Sequence, residues 1–296
     1  MFLTISIDGN KELHDSCRVF PDGRGSYDMA MEAAKHYAKY YLGTVKILNS
    51  KMTISPDNLS YLTSAVKSLI DVGYESINLN CTYEGPWDEK DAYILYTSLK
   101  EIGDYLLQTG KYKTTKLSIF DPSCGAPKPE DDQYNWCGGN GKMLAIDYKG
   151  DLFPCLRYME SSLSNKQEPY TIGTVENGIM STLEEKNRVQ LLQSVDRKTC
   201  SSEECFNCPV AGGCSWCTAY NYECFGTPQS RVTNICIMHK ARVLANAYYW
   251  NKIFRIEAPE ERRRFKIHLP VADALKIIDL DEWTFLKMLE SSVIFS

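Results

Sequence analysis

The stretch that most constrains this chain is Cys205-Phe206-Asn207-Cys208-Pro209-Val210-Ala211-Gly212-Gly213-Cys214-Ser215-Trp216-Cys217, which holds four cysteines within 13 residues. Cys137 and Cys155 upstream and Cys236 downstream extend the pattern. A disulfide framework belongs to small secreted domains. This chain has 296 residues and only 12 cysteines, so metal binding is the better reading. Thiolates two residues apart face one ion or one edge of a cluster. The Gly212-Gly213 pair lets backbone wrap closely around sulfur.

Composition narrows the function. A hydrophobic fraction of 44%, a charged fraction of 24% and a net charge of −5 describe an ordinary globular chain. No basic stripe points to a nucleic-acid partner, and no apolar run approaches the roughly 20 residues a membrane helix needs. Met1 runs straight into a strand pattern, with nothing like a signal peptide. The expectation is a cytoplasmic protein, and a start in mid-strand reads as a fragment of something longer.

Strand-like runs are expected over 2–7, 44–48, 76–80 and 115–120. Helical periodicity fills the gaps between them: a helix capped by Ser26 with Met29, Ala30, Ala33, Ala34, Tyr37 and Tyr41 on one face, one started by Ser55-Pro56-Asp57, and one over 88–108. This alternation predicts parallel βαβ units. Four strands with three crossovers do not close an eight-stranded barrel, so the expected fold class is α/β: a piece of an open sheet or the later part of a larger, partial (β/α) barrel. After Phe120 the chain turns rich in Pro, Gly and acid. A hairpin is expected around Tyr148-Lys149-Gly150-Asp151, with a further short strand over 171–175 and helices over 183–195 and 234–254. Short helices are expected over 258–265 and 271–289. The expected domains are 1–120, 121–254 as the cysteine-rich part, and a helical tail over 255–296.

The full cysteine order is Cys137, Gly150, Cys155, then Cys205-x2-Cys208-x5-Cys214-x2-Cys217, then Cys236. This order closely resembles the SPASM domain, the auxiliary iron–sulfur module of radical S-adenosylmethionine (SAM) peptide-modifying enzymes. Ile5-Ser6-Ile7-Asp8-Gly9, with His14-Asp15 and Arg18, looks like the fourth strand and loop of the partial barrel in the same enzymes. Within them, Cys208-Pro209-Val210, Cys214 to Tyr222 and Ile237 to Arg242 resemble the group that matures peptides with CXXX repeats.

The resemblance implies two [4Fe–4S] clusters, one on Cys205, Cys208, Cys214 and Cys236, the other on Cys137, Cys155 and Cys217 with one iron left open. Cys124 is the candidate fourth ligand; Cys200 and Cys224 read as ordinary thiols. The resemblance also implies that Ser6, Asp8 and Arg18 help bind SAM, and that the partner is a cysteine-rich ribosomally made precursor peptide in which a thioether is formed. Two departures stand out. The family's CxxxCxxC motif, which binds the SAM-cleaving cluster, is absent from these residues, so this chain is expected to be inactive alone. Cys217 follows Cys214 one residue early. Leu156 stands where sulfatase-maturing relatives carry a proton-accepting Asp, which disfavours that branch. The rival reading is a zinc- or cluster-bearing peptide-binding module without radical chemistry. His239 reads as a structural helix residue, Arg262-Arg263-Arg264 as a solvated helix face, and Trp216, Tyr220 and Tyr222 as shielding for a cluster.

Overall fold

Four short strands organise the first part of the chain in the computed structural model, which describes residues 5–41, 49–133, 137–257 and 263–291. In chain order the elements are β1 (Ile5–Ser6), α1 (Lys11–Cys17), α2 (Tyr27–Tyr41), β2 (Asn49–Ile54), α3 (Leu62–Val72), β3 (Ser76–Cys81), α4 (Glu89–Gln108) and β4 (Lys116–Leu117). All four strands are parallel and lie in the order β1-β2-β3-β4. Every crossover steps one strand in the same direction. The sheet therefore lacks the reversal of order that defines a doubly wound fold. Met52 and Ile54 on β2 and Ile77 and Leu79 on β3 are buried at alternate positions, as a pleated strand requires. Leu62, Ala65, Val66, Leu69 and Ile70 of α3 and Leu95, Leu99, Ile102 and Leu106 of α4 supply the helical face of the same core. Residues 2–4 of the first expected strand and the expected strand over 44–48 lie outside the described residues.

Helix starts show where side chains overrode simple cap patterns. α4 opens with a reciprocal capping box between Asp88 and Asp91. α3 does not begin at Ser55. The Asn58 side chain accepts the Ser55 N–H at 2.9 Å and donates to the Thr53 carbonyl at 2.9 Å, closing a turn instead. Helical backbone starts only at the short turn Leu59–Tyr61. Ser26 does not cap α2 either. Its hydroxyl donates to the Arg18 carbonyl at 2.8 Å, and the Tyr27 N–H is taken by the Asp15 carboxylate at 2.8 Å. A Cβ at Gly25 would lie 2.1 Å from Asp15 Cγ, so this cap needs glycine there.

The chain forms two compact units, Met1–Ala126 with Ile235–Ser296, and Pro127–Asn234. The second unit holds the antiparallel strands β5 (Ala145–Ile146), β6 (Asp151–Phe153), β7 (Gly173–Thr174) and β8 (Gly178–Ile179) in sequential order. Asp147 Oδ1 accepts the N–H groups of Lys149 at 2.8 Å and Asp151 at 2.9 Å and so shapes the expected hairpin. Gly150 turns it at φ 87°, where a Cβ would also lie 2.8 Å from Val175. Four helices follow: α5 (Leu183–Gln193), α6 (Arg197–Cys200), α7 (Glu203–Phe206) and α8 (Thr218–Phe225).

The chain then returns to the first unit with α9 (Cys236–Glu257), α10 (Val271–Ala274) and α11 (Leu280–Ser291). The long helix expected over 234–254 thus belongs to the first unit, packed along α4. The single helix expected over 271–289 is two, because Asp279 accepts the Glu282 N–H at 2.8 Å and starts a new one. The expected helix over 258–265 falls mostly on 258–262, outside the described residues. Asn246 on α9 is fully buried, accepts the Asp121 N–H at 2.8 Å and donates to the Ile119 carbonyl at 2.9 Å. It thereby satisfies the backbone just beyond β4. No helix is long and apolar enough to cross a membrane among the described residues.

Candidate functional site

Cys137 and Cys155 of the second unit converge, with Cys217 close by. Cys137 precedes the one-turn helix Gly138–Asn140. Cys155 follows the hairpin and precedes the turn Leu156–Tyr158. Cys217 is the N-cap of α8, where its Sγ accepts the Tyr220 N–H at 3.4 Å. A Cβ at Gly139 would stand 3.4 Å from Cys155 Sγ, 3.5 Å from Cys137 Sγ and 3.7 Å from Thr218 Oγ1. Glycine leaves that space open. Cys217 lies close enough to Cys155 and Cys137 for their charges to interact. Burial pushes the thiols of Cys155 and Cys217 up, so without a cation both are held neutral.

The surroundings carry unspent hydrogen-bonding capacity. Thr218 is 1% exposed and Tyr158 is fully buried, and their hydroxyls are neighbours. Asn140 Oδ1, beside Gly139, is buried and unpartnered. Buried polar groups in native proteins are almost always satisfied. Tyr170 and Tyr222 close an aromatic wall on Tyr158, at ring separations of 5.0 and 5.9 Å. Three soft thiols, an open space kept by glycine and an unsatisfied buried polar atom fit an iron–sulfur cluster. Among the described residues, no three His, Cys, Asp or Glu side chains close on a single ion.

Cys205, Cys208 and Cys214 lie on one loop of successive turns, with the Ala211 N–H donating to the Cys208 carbonyl at 3.2 Å and the Cys214 N–H to the Ala211 carbonyl at 3.1 Å. Arg231 Nη2 sits 3.1 Å from Cys214 Sγ, and its guanidinium lies 5.5 Å from the centre of the Trp216 ring. Cys236 opens α9 in the other unit. All twelve cysteines are unbridged. Cys124 is buried in the first unit, where burial pushes its thiol up to about 11. Cys200 packs with Val195 and Trp216, and burial again pushes the thiol up to about 11.

In the first unit, β1 ends on a buried polar network. The Asp8 carboxylate, 4% exposed, pairs with Arg18 Nε, and its Oδ1 accepts the Thr53 N–H at 3.2 Å. The Asp8 N–H donates to His14 Nδ1 at 3.2 Å, and His14 Nε2 meets Ser26 Oγ at 3.1 Å. Both Asp8 oxygens are thus engaged inside the protein. Arg18, 38% exposed, is the member of the pair that reaches solvent, and Ser6 is exposed on β1. Of the other readings, Leu156 is 67% exposed, His239 is buried on α9 and Arg263 lies over the Phe254 ring; Arg262 is outside the described residues.

Gly139, Asn140, Tyr158, Thr218 and Arg231 were not legible as site residues. Only Gly139 carried a signal: the Gly138-Gly139 pair directly after Cys137 mirrors Gly212-Gly213 directly before Cys214.

No protein-family model matches the sequence, and no curated protein matches it. Several solved structures do. Native anSMEcpe with bound AdoMet and Cp18Cys peptide matches with a TM-score of 0.55 and 15% identity, over 86% of this chain and 68% of that one. Native anSMEcpe with bound AdoMet gives 0.53 and 16%, over 86% and 67%. A hexahistidine-tagged form of anSMEcpe with bound AdoMet gives 0.55 and 16%, over 98% and 68%. That protein is a radical SAM/SPASM sulfatase-maturating enzyme, and at these identities the likeness is one of fold. This chain has a radical SAM-like fold across most of its length.

Proposed function

We propose that the chain is part of a radical SAM peptide maturase that carries two auxiliary [4Fe–4S] clusters and forms thioethers in a cysteine-rich ribosomally made peptide. The observation that carries this reading is the convergence of Cys137 and Cys155 on Gly139, with Cys217 close by. Two further facts support it. The solved structures of like fold hold AdoMet and peptides, and the strands of the first unit follow one another in the unreversed order of a (β/α) barrel.

Within this reading Cys137, Cys155 and Cys217 hold one cluster, and Cys205, Cys208, Cys214 and Cys236 the other. When bound, a cluster with one open iron supplies a Lewis-acid position for a thiolate and a one-electron acceptor. The chain's own residues do the positioning. Gly139 keeps the space clear, Tyr158, Tyr170 and Tyr222 keep water out of one side, and Arg231 donates a hydrogen bond to Cys214 Sγ. In the first unit Asp8 orients Arg18 rather than meeting SAM itself, which leaves Arg18 and Ser6 as the groups able to contact SAM. Leu156, exposed after Cys155, offers no proton acceptor, which favours sulfur coupling over sulfatase maturation.

The test is a pair of peptides. A CXXX-repeat peptide added to the anaerobically reconstituted protein should change its EPR spectrum, because an open iron favours a thiolate. The same peptide with serine for cysteine should not. Identical spectra with both peptides would remove the substrate-binding role and leave the cluster to electron transfer or structure.

A further inference from the structure

We propose that the buried Arg197 guanidinium is the counter-charge of the cluster bound by Cys205 and Cys208, and that its positive charge eases the reduction of that cluster. This rests on the iron–sulfur reading of the cysteine loop. Arg197 opens α6 and is 6% exposed. Its Nη1 donates to the Pro129 carbonyl at 2.8 Å and to the Asp132 carbonyl at 3.3 Å, and its Nη2 donates to the Phe206 carbonyl. The guanidinium also lies 4.4 Å from the centre of the Phe206 ring. Phe206 stands between Cys205 and Cys208 in the chain. The two contacts with Phe206 therefore hold the charge against the turn that carries both thiols.

Each of these partners is neutral. Among the described residues no carboxylate pairs with Arg197. The Asp132 carboxylate meets Lys128 at 2.9 Å, and Asp196 spends its carboxylate on the Thr199 N–H at 2.7 Å. A buried charge without an opposite charge is costly, and carbonyl dipoles return only part of what water supplied. A cubane bound by thiolates is net negative, and more so when reduced. Such a group beside the Phe206 turn would balance the guanidinium. The guanidinium in turn would stabilise the reduced form, because local charge is one of the means by which a protein sets cluster potential.

The experiment separates charge from hydrogen bonding. It compares wild type, Arg197→Lys and Arg197→Gln, each as the full chain reconstituted anaerobically with iron and sulfide. Lysine keeps the charge and gives up the planar fork of donors, whereas glutamine keeps an amide donor and gives up the charge. Iron content is measured first, and the EPR signal lost in Cys208→Ala identifies the cluster under test. Its midpoint potential is then titrated. The expected result is a potential near that of wild type in Arg197→Lys and a lower one in Arg197→Gln. Loss of iron from Arg197→Gln alone would equally support the charge. An unchanged potential in an iron-replete Arg197→Gln protein would overturn the proposal and leave the cluster reading standing. Loss of iron from both variants would also overturn it, by assigning Arg197 to holding the Phe206 turn through its hydrogen bonds. Failure of the wild type to bind iron would overturn the cluster reading itself, and this proposal with it.

Discussion

The Asp8 N–H donates to Nδ1 of His14 at 3.2 Å. An acceptor at Nδ1 places the ring proton on Nε2, which then donates to Ser26 Oγ 3.1 Å away, and Ser26 in turn donates to the Arg18 carbonyl at 2.8 Å. The chain of bonds has one direction and needs a neutral imidazole. Burial pushes His14 below its ordinary value of 6.5, with Asp8 and Asp15 opposing and Arg18 assisting. The Tyr27 ring packs edge-on at 5.6 Å. With the folded value below the unfolded one, this stabilisation is complete above pH 6.5 and is lost as pH falls below it. His14→Phe should cost about 1–3 kcal/mol at pH 7.5 by leaving the Asp8 N–H without its partner. The gap to wild type in urea melts should narrow on acidification toward pH 5.5. A gap that widened instead would mean His14 is held as the cation.

A second prediction concerns the anchor of α9. Asn246 spends both amide functions on the Asp121 N–H and the Ile119 carbonyl while fully buried. Asn246→Leu leaves the Asp121 N–H without its partner and removes one of two donors to the Ile119 carbonyl, which Arg242 Nε still meets at 2.8 Å. Denaturant melts should show a loss of about 1–3 kcal/mol, chiefly from the Asp121 N–H. A loss under about 0.5 kcal/mol would show that the backbone beyond β4 finds other partners.

The space at Gly139 can be tested directly. A methyl there makes ordinary contacts, at 3.4 and 3.5 Å from the two sulfurs. Gly139→Ala should therefore fold with metal-free stability within about 1 kcal/mol of wild type. Its iron content after reconstitution should nonetheless fall markedly, because the methyl fills the space between the thiols. Full iron loading would place the metal elsewhere.

Much of this architecture was readable from the chain. Helical periodicity gave α4 and α5, and the run Tyr148-Lys149-Gly150-Asp151 gave the hairpin, because those elements are set by local patterns. The start of α3 was not, since Asn58 closes a turn on Ser55 that competes with the helix cap. The cap of α2 was hidden for a different reason: Asp15 reaches it from another element, 12 residues away. At the site, the cysteines announced themselves by spacing. Thr218 and Tyr158 did not, because a lone hydroxyl has no pattern in the sequence.

A fourth prediction follows from the absence of CxxxCxxC within these residues. Without that trio no cluster here chelates the amino-acid end of SAM. Incubation of the protein with SAM and a strong reductant should give no 5′-deoxyadenosine above a protein-free control. Turnover by these residues alone would move the catalytic cluster to one of the two centres described above.

The central claim is that two iron–sulfur centres share the seven cysteines, and iron and sulfide content after anaerobic reconstitution tests it most directly. Two cubanes require about eight iron and about eight sulfide per chain. Cys217→Ala and Cys208→Ala should each remove about half, from different centres. A colourless protein that binds zinc in place of iron, or iron content untouched by both substitutions, would contradict the account.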